Sequence, residues 1–127
     1  MPAELLTTYR CAPTAPSSGA LRVATVRYLP RGVPKRDHAR YFDVWLPLLA
    51  PTQDLIRDFR SERLTQAAFF RAYRREMGRT DPRQAIELLA RVSAFTPIAV
   101  GCYCEDEAHC HRSVLAELIR QAPATRG

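Results

Sequence analysis

The chain almost lacks lysine: among its 19 basic residues only Lys35 is one, and no dense basic tract gathers the others. A dedicated nucleic-acid-binding arm, which works through a run of like charge, is therefore not expected. Long hydrophobic runs are missing as well, so no stretch approaches the length of a membrane-spanning helix. The first residues, Met1-Pro-Ala-Glu-Leu-Leu6, have no basic segment leading into an apolar one, which is not the pattern of a secretory signal. The reading is a soluble, cytoplasmic protein with no membrane partner. Cysteine is scarce, with four residues, and Cys102 and Cys104 on one strand would point to opposite faces. No disulfide framework is expected; such a cluster in a cytosolic protein means a metal site, a reactive thiol or buried filler. Internal repeats, a P-loop, a G-x-G-x-x-G fingerprint and a Ser/His/Asp set are all absent.

What is there fits one domain. The 127 residues are 46% hydrophobic and 25% charged, enough for a single core spanning about residues 5–121. The net charge is +6 and nearly all of the positive charge is arginine. Its planar fork suits phosphate and carboxylate, so a small anionic ligand or a nucleic acid is the partner class suggested.

Leu5–Cys11 reads as a first strand and Ala12–Gly19 as a turn-rich loop. Leu21–Arg27 reads as a second strand, with Leu21, Val23 and Thr25 on its more apolar face. The loop from Tyr28 to Arg36 leaves that strand with two prolines, Gly32 and several cations, at the kind of strand end where ligands sit in open α/β sheets. A helix capped by Asp37 is expected to run to just before Pro51, with Trp45 as a core or interface anchor and His38 exposed. Thr52 caps a short helix through Phe59, and Leu64–Met77 forms another, its Phe69, Phe70, Tyr73 and Met77 making a core stripe that ends at Gly78. Asp81-Pro82 supplies a cap for a further helix carrying Ala85, Leu88, Leu89 and Val92 inward. Ile98–Cys102 is apolar without alternation, as a strand buried on both faces must be. The last helix begins between Asp106 and His111 and runs to about Gln121, burying Val114, Leu115, Leu118 and Ile119. The fold expected is a small α/β layer, a short and mainly parallel central sheet flanked by helices.

The chemistry concentrates after the cysteine strand, in Cys102-Tyr-Cys104-Glu105-Asp-Glu-Ala-His-Cys110-His111-Arg112-Ser113. A buried strand hands over there to a helix N-terminus, where backbone N–H groups and the helix dipole favour anions. Arg112 and Ser113 would add a cation and a hydroxyl, while Glu105, Asp106 and Glu107 would oppose a phosphate. Cys104 or Cys110 beside His111 offers a thiol with an acid/base partner, and Glu105 a carboxylate. A phosphatase-like His-Cys pattern followed by arginine after five residues fails, because position 116 is Ala116. A metal set of Cys102, Cys104, Cys110 and His111 is the alternative, although Cys-x-Cys is not the two-residue spacing usual for structural zinc.

These residues resemble the C-terminal signature of the domain of unknown function 488 (DUF488) family, in which a strand, an acidic loop, Cys-His-Arg and a helix follow one another. Arg27-Tyr-Leu-Pro-Arg-Gly-Val-Pro-Lys35 is similar to the Arg-Leu-Trp-Pro-Arg-Gly segment of that family's YeaO-like branch. Trp45-Leu-Pro-Leu-Leu-Ala-Pro-Thr-Gln-Asp-Leu55 and Phe69-Phe-Arg-Ala-Tyr-Arg-Arg-Glu76 resemble two more of its blocks. The branch usually has an aspartate where Val26 stands, and many members have Asn-His where this chain keeps Cys-His-Arg. The resemblance implies an α/β fold and a cleft between the Arg-Pro-Arg-Gly-like loop and the Cys-His-Arg motif, and it brings no established activity or cofactor. The functional expectation is an anionic ligand, a nucleotide or nucleic-acid fragment, held by Arg27, Arg31, Gly32, Arg112 and Ser113. Cys104, Glu105, Cys110 and His111 are the groups that could act on it. The alternative is a metal- or redox-responsive regulatory protein built on the Cys/His cluster.

Overall fold

A computed structural model describes residues 6–12, 19–29, 31–103 and 110–122. Four strands, β1 (Leu6–Arg10), β2 (Leu21–Ala24), β3 (Val44–Trp45) and β4 (Ile98–Cys102), form one sheet in the order β1-β4-β2-β3, every pairing parallel. The helices are α1 (Gln53–Arg60), α2 (Gln66–Met77), α3 (Thr80–Val92) and α4 (His111–Gln121). This is the α/β architecture expected. β4 lies between β1 and β2, and all five of its residues are buried, which explains why its sequence does not alternate. Leu6 pairs with Ile98 and Arg10 with Cys102, while Ala24 pairs with Gly101. The carboxyl ends of β1, β2 and β4 therefore finish level with one another.

Helices α1 and α2 begin at side-chain caps. Thr52 accepts from the Leu55 amide and Thr65 from the Ala68 amide, each supplying an acceptor to an N–H that the helix cannot satisfy itself. In α2 the buried residues Phe69, Tyr73 and Met77 recur every fourth position, and they join Ile86 and Leu89 of α3 with Val114, Leu115 and Ile119 of α4 in one core cluster. Val23, Ile98 and Val100 enter that cluster from the sheet. A smaller cluster of Cys11, Ala24, Val26, Phe42, Cys102 and Cys110 gathers around the carboxyl ends of the strands.

Three expectations are corrected. The helix expected from Asp37 toward Pro51 is instead a 3₁₀ helix (Lys35–Arg40), strand β3, and a second 3₁₀ helix (Pro47–Leu49). Asp43 binds both the main-chain N–H and the guanidinium of Arg22, so the chain is drawn alongside β2 and Val44 pairs with Val23. Trp45 is a partly exposed edge residue whose indole N–H donates to the Val26 carbonyl. Helix α3 starts one residue before Asp81, with Arg79 as its cap, and its inner stripe is Pro82, Ile86, Leu89 and Ala90, leaving Leu88 63% exposed. In β2, Leu21 is exposed and burial begins at Val23, because the strand enters the core only at its carboxyl end. No described helix is long and apolar enough to cross a membrane.

Candidate functional site

The level ends of β2 and β4 and the start of α4 meet at one point. Thr25, one residue beyond β2, continues the ladder: its N–H and its hydroxyl both donate to the Gly101 carbonyl, at 2.8 and 3.0 Å. Its own carbonyl lies 2.8 Å from His111 Nε2. A carbonyl can only accept, so Nε2 carries the proton and the lone pair of the imidazole sits on Nδ1. That lone pair is on the sulfur side of the ring, with Cys110 Sγ 3.8 Å from Nδ1. The edge of the fully buried Tyr73 ring packs on the imidazole at 5.2 Å between centroids. Burial pushes the His111 pKa down to about 4 and the nearby Arg112 cation adds to this, partly offset by the bond to Thr25. The ring is neutral near pH 7.

Cys102 and Cys110 are joined by a disulfide, their Cα atoms 7.7 Å apart. This corrects the expectation of no disulfide. The partner of Cys102, the last residue of β4, is Cys110, the residue that caps α4. Arg112 is buried on the same group, its Nη1 3.4 Å from the Cys102 carbonyl and 3.5 Å from Cys102 Sγ. Ser113 donates its hydroxyl to the Cys110 carbonyl at 2.9 Å, which secures the first turn of α4. Cys11, the free cysteine among the described residues, is buried nearby, and burial raises its thiol pKa.

A cavity of about 240 Å³ opens on this group. Cys102, Cys110 and His111 line it together with Arg27, Arg60, Tyr28, Tyr103 and the side chains of Phe59 and Phe69 from α1 and α2. The Tyr103 hydroxyl donates to the Tyr28 carbonyl at 3.1 Å, and partial burial pushes its pKa up to about 12, so it is a neutral donor. Arg27 is anchored by the carbonyls of Ala50 and Pro51 at 3.2 and 3.1 Å. A wider groove of about 530 Å³ shares Tyr28, Ile56 and Arg60 with the cavity and adds Gln53, Arg57 and Ser61.

The structure thus brings together Arg27, Cys102, Cys110 and His111 around the cavity, with Arg112 and Ser113 directly behind them. Arg31 and Gly32 are exposed on their loop and line neither concavity, Gly32 taking a φ of +70° that suits its lack of a side chain. Cys104 and Glu105 lie outside the described residues. Sequence reasoning missed Thr25, Tyr73 and Arg60. Thr25 had a signal, a polar residue between the apolar Ala24 and Val26; Tyr73 and Arg60 had none beyond ordinary helix patterning.

No curated protein and no solved structure matches the chain. A family model does match, over residues 6–123, and its description is DUF488-N3a, the active DUF488-N3 subclade. The match names that subclade, so a place in the YeaO-like branch does not follow from it. It runs from β1 through α4 and takes in every residue of the site described above, and on that ground the chain belongs to the DUF488 family.

Proposed function

We propose that the cleft binds a small anionic ligand with a planar body, a nucleotide or a nucleic-acid fragment. The observation that carries this reading is one cavity lined at once by the Cys102–Cys110–His111 group, by Arg27 and Arg60, and by aromatic rings. Its volume of about 240 Å³ falls below the roughly 300–1,000 Å³ of a pocket for a whole drug-sized ligand. A single planar ring is the natural occupant, and stacking on aromatic side chains is worth about 1–3 kcal/mol per base. The rest of such a ligand would extend past Arg60 into the adjoining groove, where Arg60 would meet an anion from α1, Arg57 being paired with Asp54 and Asp58. The location at the carboxyl ends of parallel strands is where open α/β sheets hold their ligands. Once reduced, Cys102 or Cys110 would serve as the nucleophile and neutral His111 as the base beside it, with the Arg112 cation favouring a thiolate at Cys102.

The test is calorimetric titration of the full chain with nucleoside mono-, di- and triphosphates and with short single-stranded oligonucleotides. Arg60 is exposed, so Arg60→Ala should fold normally and weaken binding about tenfold. Arg31→Ala should change it less than about twofold, since Arg31 lies outside both concavities. No binding by any member of the panel, or equal affinity in Arg60→Ala, would sink the proposal.

A further inference from the structure

We propose that the reduced pair Cys102 and Cys110 forms, with His111, a site for a thiophilic divalent cation of the zinc class, with one coordination position open to the cavity. The sulfurs of both cysteines and a ring nitrogen of His111 all lie within 4.8 Å of one another, and all three residues are buried. Thr25 holds the Nε2 proton in place by accepting from it, which leaves Nδ1, the nitrogen nearer Cys110 Sγ, as the donor. A carbonyl that fixes the tautomer from behind is the usual second partner of a metal-bound histidine. Arg112, 3.5 Å from Cys102 Sγ, stands in the corresponding place behind a thiolate.

Two thiolates on one zinc ion, each about 2.3 Å from it, sit about 3.8 Å apart, so the two sulfurs separate once the bond between them is reduced and an ion enters. Two thiolates also cancel the charge of a divalent ion, so the set can stay in an apolar pocket. Three protein ligands leave one tetrahedral position, and because all three line the cavity, that position faces it. Water or an anionic group would complete the shell. The inference stands on the ligand geometry and does not require that a nucleotide enters the cleft.

Loading requires the dithiol. The thiolate of a small dithiol reductant attacks one sulfur of the Cys102–Cys110 bond and releases the other as a thiolate. The reductant's second thiol then resolves the mixed disulfide and leaves as a cyclic disulfide, having passed two electrons and two protons to the protein. Binding of the ion displaces those two protons. A small disulfide oxidant reverses the sequence: it accepts two electrons from the two thiolates through a mixed disulfide, is released as its dithiol, and leaves the Cys102–Cys110 bond without the ion.

The experiment uses the full chain, oxidised and dithiol-reduced, freed of reductant without oxygen and titrated with Zn²⁺ against a chromophoric chelator. Co²⁺ serves in parallel for absorption spectra. The reduced protein should take up one ion per chain with a dissociation constant of about 1 μM or below, and the oxidised protein none. The cobalt form should show thiolate charge-transfer and tetrahedral bands. Cys102→Ser, Cys110→Ser and His111→Gln should each weaken binding about 10- to 100-fold, whereas Cys11→Ser should not. Equal zinc uptake by the oxidised protein, no uptake by the reduced protein, or a cobalt spectrum without sulfur ligation overturns the proposal even where a variant fails to fold. Nucleotide binding is scored separately, so failure of one reading is distinct from failure of the other.

Discussion

Tyr73 shows how much one side chain does at the site without touching the cavity. Its ring edge supports the His111 imidazole, and its hydroxyl donates to the Leu49 carbonyl at 2.6 Å from a fully buried position. Tyr73→Phe keeps the ring and orphans the carbonyl, so it should cost about 1–3 kcal/mol in urea unfolding while leaving the His111 ring resonances in place by NMR. Loss of the His111 environment in this variant would show that the hydroxyl, and not the ring, positions the histidine. The stripe Phe69, Tyr73 and Met77 reads as core from helical spacing alone, and it is core. That its middle member packs on a histidine from a distant helix depends on how α2 and α4 cross, which no spacing within either segment encodes. Residue type located the Cys-His-Arg motif, and the polar Thr25 side chain between Ala24 and Val26 marked its position, but the part its main-chain carbonyl plays as the partner of His111 is not visible in a sequence.

Among the elements, β4 was the most legible and the segment around Val44 the least. An unbroken apolar run has one good solution, a strand covered on both faces, and β4 is that strand. The Asp37–Leu49 segment has helix-compatible spacing, but Arg22 on β2 offers Asp43 both a charged and a main-chain donor, and that tertiary bond outweighs a weak local preference. The close fit of β1 on β4 gives a test at this scale. Tyr9 pairs with Gly101, and a Cβ placed on Gly101 would overlap the Tyr9 ring. The Tyr9 hydroxyl donates to the Tyr41 carbonyl at 2.8 Å, so the ring cannot swing aside without losing that bond. Gly101→Ala should therefore destabilise the protein by about 1–3 kcal/mol, read as a lowered urea midpoint with unchanged slope. A neutral effect would mean that the ring is not held where the sheet places it.

For the whole molecule, the sheet has a buried centre and a lightly held edge. Strand β3 is only two residues long, and much of its attachment comes from side chains: Trp45 to the Val26 carbonyl, and Arg22 to Asp43 and to the Ala39 and Arg40 carbonyls. The Arg22 guanidinium, chiefly through its hydrogen bond, holds the Asp43 carboxyl below its ordinary range. A carboxylate with a depressed folded-state pKa contributes stability that is complete above the unfolded value of about 3.9. That contribution disappears as pH falls through the lower folded value. Asp43 is 39% exposed, so solvent screening limits the share to roughly 0.5–1 kcal/mol. In Asp43→Asn the remaining side-chain oxygen can still accept from the Arg22 amide, but the ion pair is gone. The variant should thus be less stable than the parent at pH 7 by roughly 0.5–1 kcal/mol, and the two urea midpoints should converge as the pH is taken below about 3.9. A gap that stays constant across that range would assign the loss to packing at the sheet edge. Convergence would show that the Arg22–Asp43 charge pair adds to the backbone pairing and the Trp45 bond that hold β3 on the sheet.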